Sequence, residues 1–209
     1  MSPAAGAGIV LGLLLATGQT APPVSSPPFP GSAERVESGQ IASPAGSPIA
    51  YRIRLLPLSS FPAIPAEVAD QLGRRHCMIP QTYEAKQPEN VIHGAFDAFG
   101  TSDWAALCSA EGTTTLYVFF AGQFDSPIAL RRQADTVWLG ADPGEPVLGS
   151  AWGIAARTAE QLRSSPEFRS LLSFDHDAID DARLERNLTI HYYQGGKWLT
   201  LTAGDDADN

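Results

Sequence analysis

Basic residues are scarce in this sequence. Fourteen Lys and Arg stand against 23 Asp and Glu in 209 residues, which gives a formal net charge of -9. A protein that binds nucleic acid needs a basic face to meet the phosphates, so this composition argues against a nucleic-acid partner. With 44% hydrophobic and 18% charged residues, the chain also differs from collagens, coiled coils and wholly disordered proteins. It fits one soluble globular domain.

Cysteine is scarce as well, and the familiar catalytic motifs are missing. Two cysteines, Cys77 and Cys108, exclude a disulfide-dense mini-domain and a cysteine-rich zinc module. The sequence has no G-x-S-x-G elbow, no H-E-x-x-H, no G-x-x-x-x-G-K-S/T and no G-x-G-x-x-G after a strand. No complete catalytic set is present, and we predict no cofactor.

A short apolar run near the N-terminus predicts export. Thirteen small or apolar residues extend from Ala4 to Ala16. As a helix they would span about 20 Å, less than the roughly 30 Å of a bilayer core. Residues 1–18 are therefore predicted to be a signal peptide, with cleavage after Ala21 as the alternative. No basic residue precedes the run, so an uncleaved anchor or a misplaced start codon stays open. No later stretch could span a bilayer, and we expect a periplasmic or secreted protein.

Proline is concentrated after this run. Residues 22–48 contain seven of the 17 prolines, and Gly, Ser and Ala fill most of the rest. Proline removes backbone donors, and small residues offer little apolar area to offset the entropy of ordering. Residues 19–48 are therefore predicted to be a disordered linker. Residues 49–203 are predicted to form the globular domain, and residues 204–209 a short acidic tail that frays.

Hairpin patterns dominate the predicted domain. Strands are predicted at 49–55, 90–96, 104–109, 113–121, 136–139, 149–157, 188–193 and 197–202. Pro65 predicts the start of a helix over 66–72. Thr158 and Gln161 match a capping box that begins a helix ending near Ser164. The sum predicts an α+β fold: a single domain with a mostly antiparallel sheet of hairpins and two or three short helices.

Five short motifs resemble a group of uncharacterised exported bacterial proteins. They are CMIPQ at 77–81, NVIxGxF at 90–96, DWAxLCS at 103–109, DHDxIxD at 175–181 and GKW at 196–198. The resemblance covers about half of the chain and implies no activity.

Within that resemblance, residues 94–120 are similar to one FG-GAP or VCBS-type repeat. That family builds β-propeller blades, and its acidic loop can hold calcium through oxygen ligands. Only Asp97 and Asp103 stand at such positions here, with Phe99 and Gly100 between them. A propeller needs at least four blades, and the sequence offers one such unit, or two at most. The resemblance therefore implies the local hairpin shape alone.

Cys77 and Cys108 are predicted to form a structural disulfide, because an exported chain reaches an oxidising compartment. Closing their loop of about 32 residues would stabilise the fold by roughly 3.5–4 kcal/mol. The alternative is two buried thiols. A reactive thiol is disfavoured because the sequence has no C-x-x-C motif.

Asp175, His176 and Asp177 are the candidate ligand or catalytic residues. Carboxylates beside an imidazole could hold a divalent ion or orient a general base. The alternative is a helix start, where Asp residues satisfy free N–H groups and suit the helix dipole. Neighbouring side chains on an extended segment point apart, so we favour the helix start and predict no metal site.

The remaining histidines and the tryptophans are weaker candidates. His76, His93 and His191 are predicted to be surface or strand residues. The face of His191 is either a binding surface or the solvated side of a sheet. Trp104 is expected in the core and Trp198 partly exposed, and an aromatic platform for sugars is the alternative role.

The sequence thus predicts an exported, non-enzymatic domain that binds an unknown protein or envelope partner. The alternative is a small hydrolase or metal-dependent enzyme centred on Asp175, His176 and Asp177. Nothing in the motifs identifies a ligand.

Overall fold

The structure, a computed structural model, describes residues 1, 33–44, 46–141, 144–170, 172–184 and 188–202. Strands make up 48% of the described residues and helices 13%, arranged as three sheets with two α-helices. The predicted α+β class is therefore wrong, and the fold is β-rich. The two helix patterns do correspond to helices, but these helices are short connections between strands and do not form a helical layer against a sheet. The predicted signal peptide beyond Met1, half of the predicted linker and the predicted acidic tail lie outside the described residues.

The first sheet has the strand order β1-β2-β9-β8, and β3 also pairs with β2. Its strands are β1 (Arg35–Ala42), β2 (Pro48–Leu56), β3 (Ile79–Gln81), β8 (Leu139–Ala141) and β9 (Leu148–Ser150). Strand β1 lies inside the predicted linker, so that prediction is wrong over 35–42. The prolines stand on either side of β1 and none lies within it, which leaves its backbone free to pair with β2 along its whole length.

The second sheet is an antiparallel meander in the order β4-β5-β6-β7. Its strands are β4 (Val91–Gly94), β5 (Asp103–Ala110), β6 (Thr113–Phe119) and β7 (Ile128–Ala134). The predicted hairpin between β5 and β6 is confirmed. Its turn places Glu111 and Gly112 at φ of 52° and 74°, where a glycine avoids the strain that a side chain would meet.

The third sheet is a second antiparallel meander, in the order β10-β11-β12-β13. Its strands are β10 (Trp152–Arg157), β11 (Ala178–Arg183), β12 (Leu188–Gln194) and β13 (Lys197–Thr202). The predicted hairpin of β12 and β13 is confirmed, with a turn through Gly195 and Gly196 at positive φ. The helix start predicted at Asp175 is wrong, because Ala178 begins strand β11 instead.

The two α-helices lie in connections within a sheet, one between β2 and β3 of the first sheet and the other between β10 and β11 of the third. The predicted helix after Pro65 is confirmed as α1 (Ala66–Arg74), and α2 spans Ala159–Ser164. Two short 3-10 helices occupy Leu58–Ser60 and Asp135–Trp138. The second of these replaces most of the strand predicted over 136–139, and only Leu139 begins a strand there.

The capping box of α2 is confirmed. The Gln161 backbone N–H donates to the Thr158 hydroxyl at 3.2 Å, and the Thr158 N–H donates to the Gln161 side-chain oxygen at 2.8 Å. Thr158→Ala should lower the free energy of unfolding by about 1 kcal/mol, because it strips the cap from a short helix. Thr158→Ser keeps the hydroxyl and should stay close to wild type. Urea titrations of both variants check this, and equal losses in the two would contradict it.

The core fills both sides of the second and third sheets. One cluster joins the two sheets across their facing sides and includes Leu107, Leu116, Trp152 and Ile179. Helix α1 covers the opposite side of the second sheet with Val68 and Leu72. The segment from α2 to residue 174 covers the opposite side of the third sheet. Central strands such as β5 and β6 are therefore buried on both sides, as in sheets covered on two faces.

The predicted disulfide is confirmed. Cys77, just after α1, is bonded to Cys108 on β5, with Cα atoms 4.9 Å apart and both residues buried. The bond fixes α1 against the second sheet. In the described part of the chain, no helix is long and apolar enough to cross a membrane.

Candidate functional site

A cleft of about 300 Å³ opens on the outer side of the first sheet. It lies where the second edge of β2 changes partner. Strand β9 runs parallel to β2 and pairs with it at Tyr51 and Leu148, whereas β3 runs antiparallel and pairs with Arg54 to Leu56. Two partners of opposite direction cannot continue one ladder, so the surface between them is left as a depression.

Two arginines on β2 form one side of the cleft. Arg52 and Arg54 are two residues apart, so both point to the outer face, while Ile53 and Leu55 point into the core with 1% exposure each. The Arg54 guanidinium donates to the backbone carbonyl of Ala85 at 3.1 Å. That bond holds the group in place at the cleft. Guanidinium groups carry five N–H donors, and they bind carboxylates and other oxyanions through paired hydrogen bonds.

Tyr83 forms another wall, and two glycines make room for it. Gly140 on β8 and Gly149 on β9 are cross-strand partners. A Cβ at 149 would lie 2.5 Å from the Tyr83 Cβ, and one at 140 would lie 3.0 Å from the ring. Side chains at these positions would push Tyr83 out of its place. The Tyr83 N–H also donates to the Ser150 carbonyl at 2.8 Å, which anchors the residue to β9.

The loop that delivers Tyr83 is braced by Gln81 and Glu89. The Glu89 N–H donates to the Gln81 side-chain oxygen at 2.9 Å, and the Gln81 amide donates back to the Glu89 carbonyl at 3.0 Å. The Glu89 carboxylate accepts from the Thr82 N–H at 2.8 Å. Asn90 then ties the loop to the third sheet, donating to the Trp152 carbonyl and accepting from the Ile154 N–H. The cleft is therefore held by a fixed frame.

The cleft has a lining of mixed charge. Among the residues that the structure describes, its lining includes two guanidinium groups, the Tyr83 ring and the Glu145 carboxylate. Within the residues that the structure describes, no group of three or more His, Cys, Asp or Glu side chains could hold a metal ion. The arrangement can take an anionic group against Arg52 and Arg54.

Asp175 and His176 lie together beside Tyr192, with His176 Nε2 3.7 Å from the Asp175 carboxylate, whereas Asp177 is directed to Ala95. His176 is buried, stacks on Tyr192 with ring centroids 4.4 Å apart, and donates from Nδ1 to the Asp177 carbonyl at 3.0 Å. The Asp177 carboxylate accepts from the Ala95 N–H at 3.1 Å. Asp175 accepts from the Tyr192 hydroxyl at 2.8 Å, and this hydrogen bond lowers the pKa of Asp175. Two of the three side chains therefore meet, and the third is directed to another segment, so the three do not converge on one point.

His191 is a strand residue of β12, as predicted, but it is buried, so its face is neither a binding surface nor the solvated side of a sheet. Its Nε2 donates to Asp181 at 2.9 Å. Asp181 has no exposed surface and also accepts from Trp152 Nε1 at 2.6 Å and from Arg131 at 2.8 Å. Burial raises the pKa of Asp181, but the hydrogen bonds and charges of His191 and Arg131 outweigh it and set the pKa below its usual value. This network links β7 of the second sheet to the third sheet.

The other predicted residues lie at the surface or at the edge of the core. His76 and His93 are exposed, as predicted. Trp198 is half-buried, also as predicted, and stacks on Phe120. Trp104 is half-buried against His93, so it is less enclosed than predicted.

Asp103 shapes the loop of the repeat-like segment. It is fully buried and accepts from the N–H groups of Phe96 and Asp97, from the Thr101 hydroxyl and from the Ala121 N–H, at 2.7 to 3.0 Å. Protein donors thus occupy this carboxylate. The likeness to an FG-GAP or VCBS-type repeat stays a prediction.

No family model matches the chain, and neither the curated proteins nor the solved structures give a significant match. The site is therefore argued from its own geometry. Sequence reasoning missed Arg52, Arg54 and Tyr83, although the alternation of β2 places both arginines on one face and is a signal for them.

Proposed function

We propose that this chain is an exported, non-enzymatic binding domain whose cleft takes the anionic part of its ligand. The observation that carries this is the pair Arg52 and Arg54, side by side on one face of β2 in a protein of net charge -9. Export is supported by the apolar N-terminal run and by the disulfide, since disulfides persist in oxidising compartments.

The arginine pair favours binding over a purely structural role. Arg52 is exposed, and the Arg54 side chain is 39% exposed with its nearest acidic partner, Glu34, 4.0 Å away. Exposed ion pairs at this distance contribute little to stability. The anchored guanidinium of Arg54 is instead pre-organised for a ligand, which reduces the entropy lost on binding.

The enzyme alternative has less support. It needs Asp175, His176 and Asp177 to face one reacting group, whereas Asp175 and His176 contact each other and Tyr192, and the Asp177 carboxylate accepts from the Ala95 N–H. General acid–base chemistry requires the groups within hydrogen-bond reach of the same substrate atoms.

Arg52→Gln/Arg54→Gln is expected to weaken binding to acidic polymers by about tenfold or more, because charge-assisted hydrogen bonds are lost. Biolayer interferometry on immobilised polygalacturonate, poly-L-glutamate and dextran sulfate measures it. The matched control is Arg132→Gln/Arg169→Gln, which removes two exposed arginines from the second sheet and the segment after α2. Equal losses in both double variants would show non-specific attraction, and no binding to any of the polymers would also contradict the proposal.

A further inference from the structure

We infer that the ligand is an acidic polysaccharide, of which one uronate unit sits in the cleft with its carboxylate on Arg52 and Arg54. This inference rests on the proposed function and adds the class of ligand. It follows from three features of the cleft: its aromatic wall, its mixed charge and its open mouth.

The aromatic wall of the cleft, formed by Tyr83, favours a ligand that contains a ring. Tyr83 is held by Gly140 and Gly149 on one side and is half-buried beside the arginines. Aromatic faces pack against apolar C–H groups while polar neighbours bind the rim of the same ligand. A sugar ring offers such a C–H face next to its carboxylate. A Glu or Asp side chain of an acidic peptide offers a carboxylate on a flexible chain that has no ring and no such C–H face.

The mixed charge of the cleft limits the number of anionic groups on the ligand. Glu145 lines the same cleft as the two arginines, so a sulfate-rich or phosphorylated ligand would meet a carboxylate of its own sign. A uronate carries a single negative charge and several hydroxyl groups. Its carboxylate accepts from the guanidinium groups of Arg52 and Arg54, its hydroxyl groups donate to Glu145, and these three charged groups of the cleft each gain a partner.

The open mouth fits one unit of a longer chain. Arg52 and Glu145 are both exposed, so the cleft is a depression on the sheet surface. A volume of about 300 Å³ is at the small end of ligand sites, which normally enclose most of a free small molecule. A polymer can place one residue in such a depression and extend along the sheet on either side.

The test compares four immobilised polymers: polygalacturonate, poly-L-glutamate, dextran sulfate and neutral dextran. Wild type should bind polygalacturonate most tightly and neutral dextran not at all. Tyr83→Leu should weaken binding to polygalacturonate by about tenfold, whereas Tyr83→Phe keeps the ring and should stay close to wild type. Any binding to poly-L-glutamate should be the same in wild type and Tyr83→Leu.

Glu145→Gln provides a second test that does not depend on packing, since Glu145 is exposed. It should weaken binding to polygalacturonate, because the hydroxyl groups of the sugar lose a charged acceptor. It should strengthen binding to dextran sulfate, because a carboxylate that repels the sulfate groups is removed. The saccharide inference is wrong if poly-L-glutamate binds as tightly as polygalacturonate. It is also wrong if Glu145→Gln changes the affinity for neither polygalacturonate nor dextran sulfate. In both cases the anion-binding proposal stands. If Arg52→Gln/Arg54→Gln leaves all binding unchanged, the proposed function fails with it.

Discussion

Asp181→Ala is expected to lower the free energy of unfolding by about 3–5 kcal/mol, one of the largest effects of any single substitution in this chain. The Asp181 carboxylate is inaccessible to solvent and accepts hydrogen bonds from Trp152, Arg131 and His191. Its removal leaves the buried Trp152 indole N–H and the His191 ring without their acceptor. Arg131 also loses its charge partner. Unsatisfied buried donors and charges carry the full cost of desolvation.

Asp180→Ala is the matched control for this prediction. Asp180 is the neighbouring residue on β11, and it forms an ion pair with Arg157 at 2.6 Å in which both side chains keep some exposure. Losing a partly solvated pair should cost about 1 kcal/mol. Urea unfolding followed by circular dichroism at neutral pH measures both variants. A loss in Asp181→Ala no greater than that in Asp180→Ala would mean that the network does not hold the sheets together.

The Asp181 effect should also depend on pH. The pKa of Asp181 in the folded protein lies below its usual value, which is the value that applies in the unfolded chain. Its contribution to stability is therefore complete above that usual value and is lost as the pH falls through the lower, folded pKa. The difference in stability between wild type and Asp181→Ala should shrink below about pH 4. A difference that stays constant to lower pH would contradict the assignment of charge to Asp181.

Local features of this fold could be predicted from the sequence because short-range chemistry determines them. The capping box needs only Thr158 and Gln161, three residues apart, and the hairpin turn needs only Gly195 and Gly196 between two alternating strands. The disulfide followed from compartment and cysteine count. Each of these features has few structural alternatives, so a pattern of a few residues is enough to predict it.

The fold class and the cleft depend on long-range pairing, which local patterns do not encode. Strand β1 has no strong apolar pattern and is stabilised by pairing with β2, for example where the Tyr51 ring lies over Gly39. The cleft brings together β2, the loop after β3 and β9, segments that are far apart in the chain. In the sequence, nothing distinguishes Asp181 from the other acids of its segment. Its role depends on His191 and Arg131, which only the folded sheets bring next to it.

Loss of the disulfide is the other large expected effect. In Cys77→Ala/Cys108→Ala the lost link alone should lower the free energy of unfolding by about 3.5–4 kcal/mol, since residues 31 positions apart are no longer joined in the unfolded chain. The two side chains are 5% and 3% exposed, so the double substitution also deletes buried atoms. Reduction of wild type removes the link and keeps those atoms, and it therefore isolates the effect of the bond. The double variant serves as the control, because a reductant should leave its stability unchanged.

The same bond connects stability to the compartment in which the protein works. Without it, α1 stays on the second sheet through the apolar contacts of Val68 and Leu72 and through Arg75 over the Tyr117 ring. The folded protein should therefore be markedly less stable under the reducing conditions of a cytosol. Protein recovered from its own host and treated with a thiol-alkylating reagent under denaturing conditions should therefore take up no label at Cys77 or Cys108. Mass spectrometry should also show that Met1 and the apolar run have been removed. Two labelled thiols on a chain that keeps Met1 would contradict export, and a stable fully reduced protein would contradict the structural role of the bond.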